Sequence, residues 1–284
     1  MRALRTRVLV AVDASGVAAA AVSGGVGTPR VRSFARAPLE PGALVPDPLE
    51  ANVARRGEVE AALAQVAAAV EGGRGPVSLI LPDGVARTVL LDVPAGVEAR
   101  EFARYRVAPG LPYAPDEALV DVLALEGGRV LAAAVRRSVI EGYEAAAAAA
   151  GLEVDRLDLA PLAALSALAR DPRGTAPSVD VILGDRALSL AAWHGGVMRL
   201  FRTRLREAGE AEAGWLAREV DRTAAQAASG GNGGPPRIRA VGPGALALLQ
   251  AWEDEGRRAE PGWTAEGTLP VEAAELAWLG GALA

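Results

Sequence analysis

The sequence has no cysteine, one histidine and no lysine among its 284 residues, so all 30 basic side chains are arginine. Each absence removes a chemistry. Without cysteine there is no thiol nucleophile, disulfide or thiolate metal cage. Without lysine there is no Schiff-base amine, and the phosphate-binding lysine of a P-loop is missing as well. His194 alone cannot build a multi-histidine metal site or a metalloprotease motif. Aromatic residues make up only 4% of the chain. Long apolar runs are also lacking: nowhere do 18 apolar residues follow one another, the length a membrane span needs. The basic start, Met1 to Arg7, leads into an apolar run that ends at Asp13, too short for a signal-peptide core. A formal charge of −5 with scattered arginines leaves no electrostatic footprint for nucleic acid. These features lead us to expect a soluble intracellular protein.

What is present suits a packed α/β chain of one or two domains: 51% hydrophobic residues, 33 glycines and 19 prolines. Val8 to Val12 reads as a buried strand, Asp13-Ala14-Ser15-Gly16 as a turn, and Val17 to Val22 as a returning strand. Arg30 to Ala37 can supply a third strand. After the proline-rich stretch Pro38 to Pro48, Val59, Leu63, Val66 and Val70 form one apolar helical stripe that Gly72-Gly73 ends. Val77 to Leu81 is again a strand. The pattern recurs: Val181 to Gly184, Leu188 to Trp193, a His194-Gly195-Gly196 turn, Val197 to Phe201, a helix from Glu207 to Ala228, the loop Ser229 to Pro236 and a strand from Arg237 to Val241. Two such halves predict an internally duplicated α/β architecture with a seam at Asp171 to Pro177.

Between them lies a different unit. Thr88 to Val93 and Ala118 to Leu125 read as strands, Val97 to Val107 as a helix, and Val130 to Val135 as a strand paired across Glu126-Gly127-Gly128. Ser138-Val139-Ile140-Glu141 has capping-box spacing and opens a helix that stops at Gly151. This block predicts a small α+β insertion.

At this point the chain resembles the PilM-type pilus assembly proteins, an FtsA-like branch of the actin-like ATPase fold. The likeness is carried by Leu81-Pro82-Asp83, Val93-Pro94-Ala95, Leu111-Pro112-Tyr113-Ala114-Pro115-Asp116-Glu117, the segment Val130 to Arg137 with Ile140 and Tyr143, Ala149 to Val154, and Pro161 to Leu165. It is weaker elsewhere, down to a last helix ending in Leu276 to Ala284. The resemblance implies an actin-like (ribonuclease H-like) duplicated α/β fold, divided into a first half at 1–87, an inserted α+β subdomain at 88–157, the end of the first half with its connecting helix at 158–176, and a second half at 177–284 with a shortened lid.

In that fold, two glycine-bearing hairpins hold a nucleotide's phosphates and each contributes an aspartate acting through a metal ion, because tight turns concentrate amide donors. Here the relic nucleotide site would be Asp13, Ser15, Gly16, Gly184, Gly242 and Gly244. Asp13 matches the first aspartate, but the following hydroxyls are gone, and Ala20 stands where relatives have lysine. In the second hairpin Ile182 takes the acidic position and Leu188 the hydroxyl one. Shifting the register to Asp180 or Asp185 is expected to put the carboxylate on the other strand face or past the turn. Pro243 removes one amide donor from the adenosine-binding glycines. The expectation is therefore no cofactor and no metal, with weakly bound ATP and Mg2+ as the alternative, and no catalytic residues.

Other features have structural readings. Gly242-Pro243-Gly244-Ala245-Leu246-Ala247 fits a G-x-G-x-x-A fingerprint, but too little chain follows for a dinucleotide unit, so a packing turn is expected. His194 belongs to a hairpin turn, and the alternating charges of Glu207 to Arg222 to a solvated helix face. Trp193, Trp215, Trp252 and Trp278 read as core or edge aromatics, Trp263 as an exposed one.

Functionally, the resemblance implies a cytoplasmic scaffold of a type IV pilus or type II secretion-like machine, peripheral at the inner membrane through its partners. The partner would be the N-terminal tail of a single-span inner-membrane assembly protein, docking near Leu111, Pro112, Tyr113, Val130 and Ala132, with a motor ATPase and self-association as further contacts. A working actin-like ATPase is the second reading and a sugar-kinase-like phosphotransferase the third. The cytoplasmic domain of the corresponding secretion protein also fits.

Overall fold

The computed structural model describes residues 6–23, 30–168, 176–184, 186–205, 213–227, 236–256 and 259–261. The expected seam around Asp171, Asp185, most of the Ser229 to Pro236 loop, Trp263, Trp278 and the final helix lie outside the described residues.

The first half opens with three antiparallel strands, β1 (Thr6–Asp13), β2 (Gly16–Ser23) and β3 (Arg30–Pro38), followed by α1 (Arg56–Ala69) and β4 (Pro76–Leu81). Alternation in β1 sends Val8, Val10 and Val12 to the face packed by α1, whose Val59, Leu63 and Val66 complete that core. After β4 the chain leaves the sheet to form β5 (Ala86–Asp92), α2 (Ala99–Val107), β6 (Ala118–Ala124) and β7 (Arg129–Arg136). It then returns through α3 (Arg137–Ala149), β8 (Glu153–Leu159) and α4 (Ala160–Leu168). The second half runs β9 (Ser178–Leu183), β10 (Ala187–His194), β11 (Val197–Leu205), α5 (Ala213–Ala227), β12 (Arg237–Val241), α6 (Ala245–Asp254) and β13 (Ala259–Pro261).

The two large sheets have one topology. Their strand orders are β3-β2-β1-β4-β8 and β11-β10-β9-β12-β13, each an antiparallel meander extended by two parallel strands. The duplication expected from the strand pattern is thus present strand for strand. Between β11 and β12 the described residues hold one helix, α5, packed on β9 and β10 as a crossover helix rather than raised as a lid.

The inserted sheet, β5-β7-β6, carries α2 on one face. Its other face packs against α4 and the second half: Leu131, Leu165, Leu168, Ile182, Trp193 and Phe201 share one cluster. Arg129 reinforces this junction by donating to the Met198 carbonyl (2.6 Å) and to Asp92 (2.6 Å). The sheet and α2 occupy 86–136. The helix α3 and strand β8, counted with the insertion in the division at 88–157, join the first sheet: β8 pairs with β4, and Val139, Tyr143, Ala146 and Ala147 fill the α1 core.

Two local expectations fail. Ser138 caps nothing: α3 begins a residue before it, at Arg137, and its N-cap residue Arg136 makes no side-chain cap. Arg136 is held elsewhere, donating to Glu117 (2.6 Å) and the Leu49 carbonyl (2.7 Å). Nor is the charged stretch of α5 wholly solvated. Glu219 is buried and receives Arg202 at 2.7 Å, with Arg204 and Arg222 at longer range; burial in turn lowers the Arg202 pKa. The His194 hairpin is as expected, a two-residue turn with Gly195 and Gly196 at φ 61° and 78°. Trp193 and Trp252 are buried, and Trp215 packs half-buried on the second core.

Candidate functional site: a reduced interdomain cleft and a groove on the insertion

Ligands in open α/β sheets bind beyond the carboxyl ends of the strands. Four such ends converge here, those of β1, β4, β9 and β12, around a cavity of about 90 Å³ between the two halves. Asp13, Gly16, Gly184 and Gly242 line it, so the structure brings together four of the six relic-site residues from distant parts of the sequence. Ser15 stands behind Asp13, giving its amide and hydroxyl to Asp13 Oδ1 (both 2.8 Å). Gly244 is not part of the lining; it caps α6 with φ 77°.

Two glycines here are imposed by packing. A Cβ on Gly16 would lie 2.6 Å from the Ala37 carbonyl oxygen. On Gly242, already at φ 103°, it would lie 2.0 Å from that of Leu183. The Gly242 turn is therefore the means by which β12 passes β9, in keeping with the packing reading of its G-x-G-x-x-A pattern.

Asp83 lines the cleft and escaped the sequence reading as a site residue. Its buried carboxylate sits where a Cβ on Gly184 would be 2.9 Å from Oδ2, so the first half reaches across and packs on the second hairpin. Asp83 follows the end of β4 as the Gly242-Pro243 turn follows the end of β12, so the Leu81-Pro82-Asp83 motif together with the duplicated topology was the signal that could have found it. Arg36 and Arg186 also line the cavity. Arg36 stands opposite Ala18 in the β2–β3 pairing and donates to Ser15 Oγ at 3.3 Å.

Among the described residues, three positions that the resemblance assigns to polar groups are apolar, and a nearby carboxylate is engaged elsewhere. Ile182 faces the cavity from the second hairpin. Leu188, at the hydroxyl position, is wholly buried. Ala20, at the lysine position, is enclosed by Leu9, Val22, Val31 and Phe34 and is not part of the lining. Asp180 corrects one expectation: two residues before Ile182, it shares that strand face. It is withheld from the cleft by a fully buried ion pair with Arg239 (2.7 Å), which also donates to the Leu168 carbonyl at 3.1 Å. Pockets for drug-sized ligands span roughly 300–1,000 Å³. The cleft, at about 90 Å³, is smaller than that, and Asp13, its hairpin carboxylate among the described residues, accepts from its own loop's Ser15.

A second cavity, of about 230 Å³, lies on the insertion and is lined by Arg104, Val107, Leu111, Pro115, Asp116, Ala118, Val120 and Arg137; of the residues expected at a partner site, it holds Leu111 alone. Glu98 fixes α2 along it by accepting from the amides of Arg100 and Glu101, contacts that lower its carboxyl pKa. Leu111 lines this groove. Exposed Pro112 follows it, and Tyr113 lies beside it under the Arg136 guanidinium, 5.9 Å from the ring centre. Partial burial raises the Tyr113 pKa. Val130 and Ala132 are corrected: both are buried in the core between β7 and α2 and present nothing to a partner.

No family model matches the sequence, and no curated protein matches it significantly. Solved structures do. A chain of the PilM–PilN type IV pilus biogenesis complex aligns over 99% of this chain and 98% of its own, with TM-score 0.68 and 19% identity. A Bacteroides thetaiotaomicron protein described as having an actin-like ATPase fold aligns over 89% of both chains, with TM-score 0.56 and 10% identity. The fold is actin-like. The cytoplasmic domain of EpsL, an inner-membrane component of the Vibrio cholerae type II secretion system, covers 98% of this chain and 95% of its own at TM-score 0.55 and 12% identity. Within this actin-like chain, no described helix is long and apolar enough to cross a membrane.

Proposed function

We propose that this chain is a cytoplasmic scaffold of a type IV pilus or type II secretion-like machine, acting by holding partners rather than by turning over ATP. The observation that supports it most is the end-to-end likeness to a chain of the PilM–PilN complex, inserted subdomain included. The likeness to the EpsL cytoplasmic domain points the same way. The cleft adds a physical reason: the duplicated fold is retained, while its cavity is small and its second hairpin presents isoleucine.

On this reading the protein sits at the inner membrane through the cytoplasmic tail of a single-span partner. That tail lies in the groove beside Leu111, where an extended segment can bury apolar side chains against α2 and β6. A motor ATPase and further copies of the chain are the other contacts proposed. Titrating the full chain with a labelled tail peptide of a single-span protein encoded beside it tests the reading. Saturable binding that Leu111→Arg abolishes is expected, and no binding at high micromolar peptide contradicts it. The second reading, a nucleotide-cycling ATPase, is favoured by the placement of Asp13 and Gly16 at the cleft and is separated by Mg–ATP binding.

A further inference from the structure

The groove is apolar at its base and charged at its rim, where Arg104, Arg137 and Asp116 stand around Val107, Leu111 and Val120. Nearby, Arg100 pairs with Asp121, Arg129 with Asp92 and Arg136 with Glu117, all at 2.6 Å, while Arg106 lies over the Phe102 ring and, like Arg87, is not part of the groove lining. Arg104 and Arg137 are exposed and make no salt bridge among the described residues. Glu98 feels Arg104 only at a distance, its oxygens being taken by the start of α2. Arg137 occupies the first position of α3, where the helix dipole disfavours a cation, so helix stability does not account for it.

We propose that these two arginines set the specificity of the groove, selecting an extended partner segment in which one carboxylate stands next to an apolar anchor. This rests on the partner reading above and deepens it. The anchor covers Val107, Leu111 and Val120, and the carboxylate is received by guanidinium forks that offer paired donors at fixed geometry. Asp116 on the same rim repels a second acid, so the segment carries one carboxylate rather than an acidic run. A neutral or basic residue in that place leaves the rim charges uncompensated, which is how charge discriminates between otherwise similar ligands.

The test is selection of randomised eight-residue displayed peptides on the full chain. Parallel selections use R104Q/R137Q, a control R218Q away from the groove, and L111R checked for folding by circular dichroism. Expected is enrichment of a single Asp or Glu beside Leu, Ile, Val or Phe. The best such peptide should bind R104Q/R137Q roughly tenfold more weakly, R218Q unchanged and L111R not at all. Groove-dependent peptides with no acidic preference, or equal binding to R104Q/R137Q, overturn the charge inference and leave the groove as a docking site. If no selected peptide is lost with L111R, the inference and the groove reading fail together.

Discussion

Gly242 and Glu98 show what single residues contribute. At Gly242 a methyl group would meet both a left-handed backbone and the Leu183 carbonyl. Gly242→Ala is therefore expected to cost about 3 kcal/mol in urea unfolding, combining backbone strain with overpacking. Glu98 is exposed and its pKa is depressed by the two amides it caps. A depressed carboxyl contributes stability above its unfolded pKa and loses it as pH falls through the folded one. The Tm gap between the parent and Glu98→Ala should thus be constant near neutrality and close below about pH 4. Neither role could be read from spacing alone. Glycine at 242 reads from sequence as a nucleotide or a packing turn, and the approach of β9 supplies a packing reason for it. Asp83 belongs to the Leu81-Pro82-Asp83 motif, but that motif marks a strand end and does not say that the carboxylate reaches the second hairpin, and Val130 and Ala132 were misplaced because an apolar run does not say which face is covered.

At the scale of elements, the buried Asp180–Arg239 pair joins neighbouring strands β9 and β12 and ties both to the end of α4. Removing one partner strands a buried charge, so Arg239→Met should lower stability by roughly 3–5 kcal/mol, whereas the double change with Asp180→Leu should recover most of it. Urea denaturation of both variants checks this, and equal losses would mean that the pair is not the source. Most elements were legible because their signals are local: β-branched runs for β1 and β4, a single apolar stripe for α1, a double-glycine turn between β10 and β11. The errors arise where tertiary contacts prevail. Arg136 is drawn to Glu117 and Leu49, which starts α3 ahead of its apparent serine cap. Arg202 draws Glu219 into the α5 interface and breaks an otherwise solvated charge pattern.

For the whole molecule, the duplicated topology places four strand ends around one cleft, and the insertion closes against the second half through Leu131, Trp193, Phe201 and the Arg129 contacts. The absence of lysine, at first only an exclusion of P-loop and Schiff-base chemistry, becomes specific here. The position to which the resemblance assigns a lysine is Ala20, enclosed in an apolar cluster with Leu9, Val22, Val31 and Phe34. Ile182 at the second hairpin and Asp180 spent on Arg239 are the features of the fold that support the proposed scaffold reading. Calorimetric titration of the full chain with Mg–ATP tests it most directly. The account predicts no saturable heat up to millimolar nucleotide, and a dissociation constant in the micromolar range would contradict it.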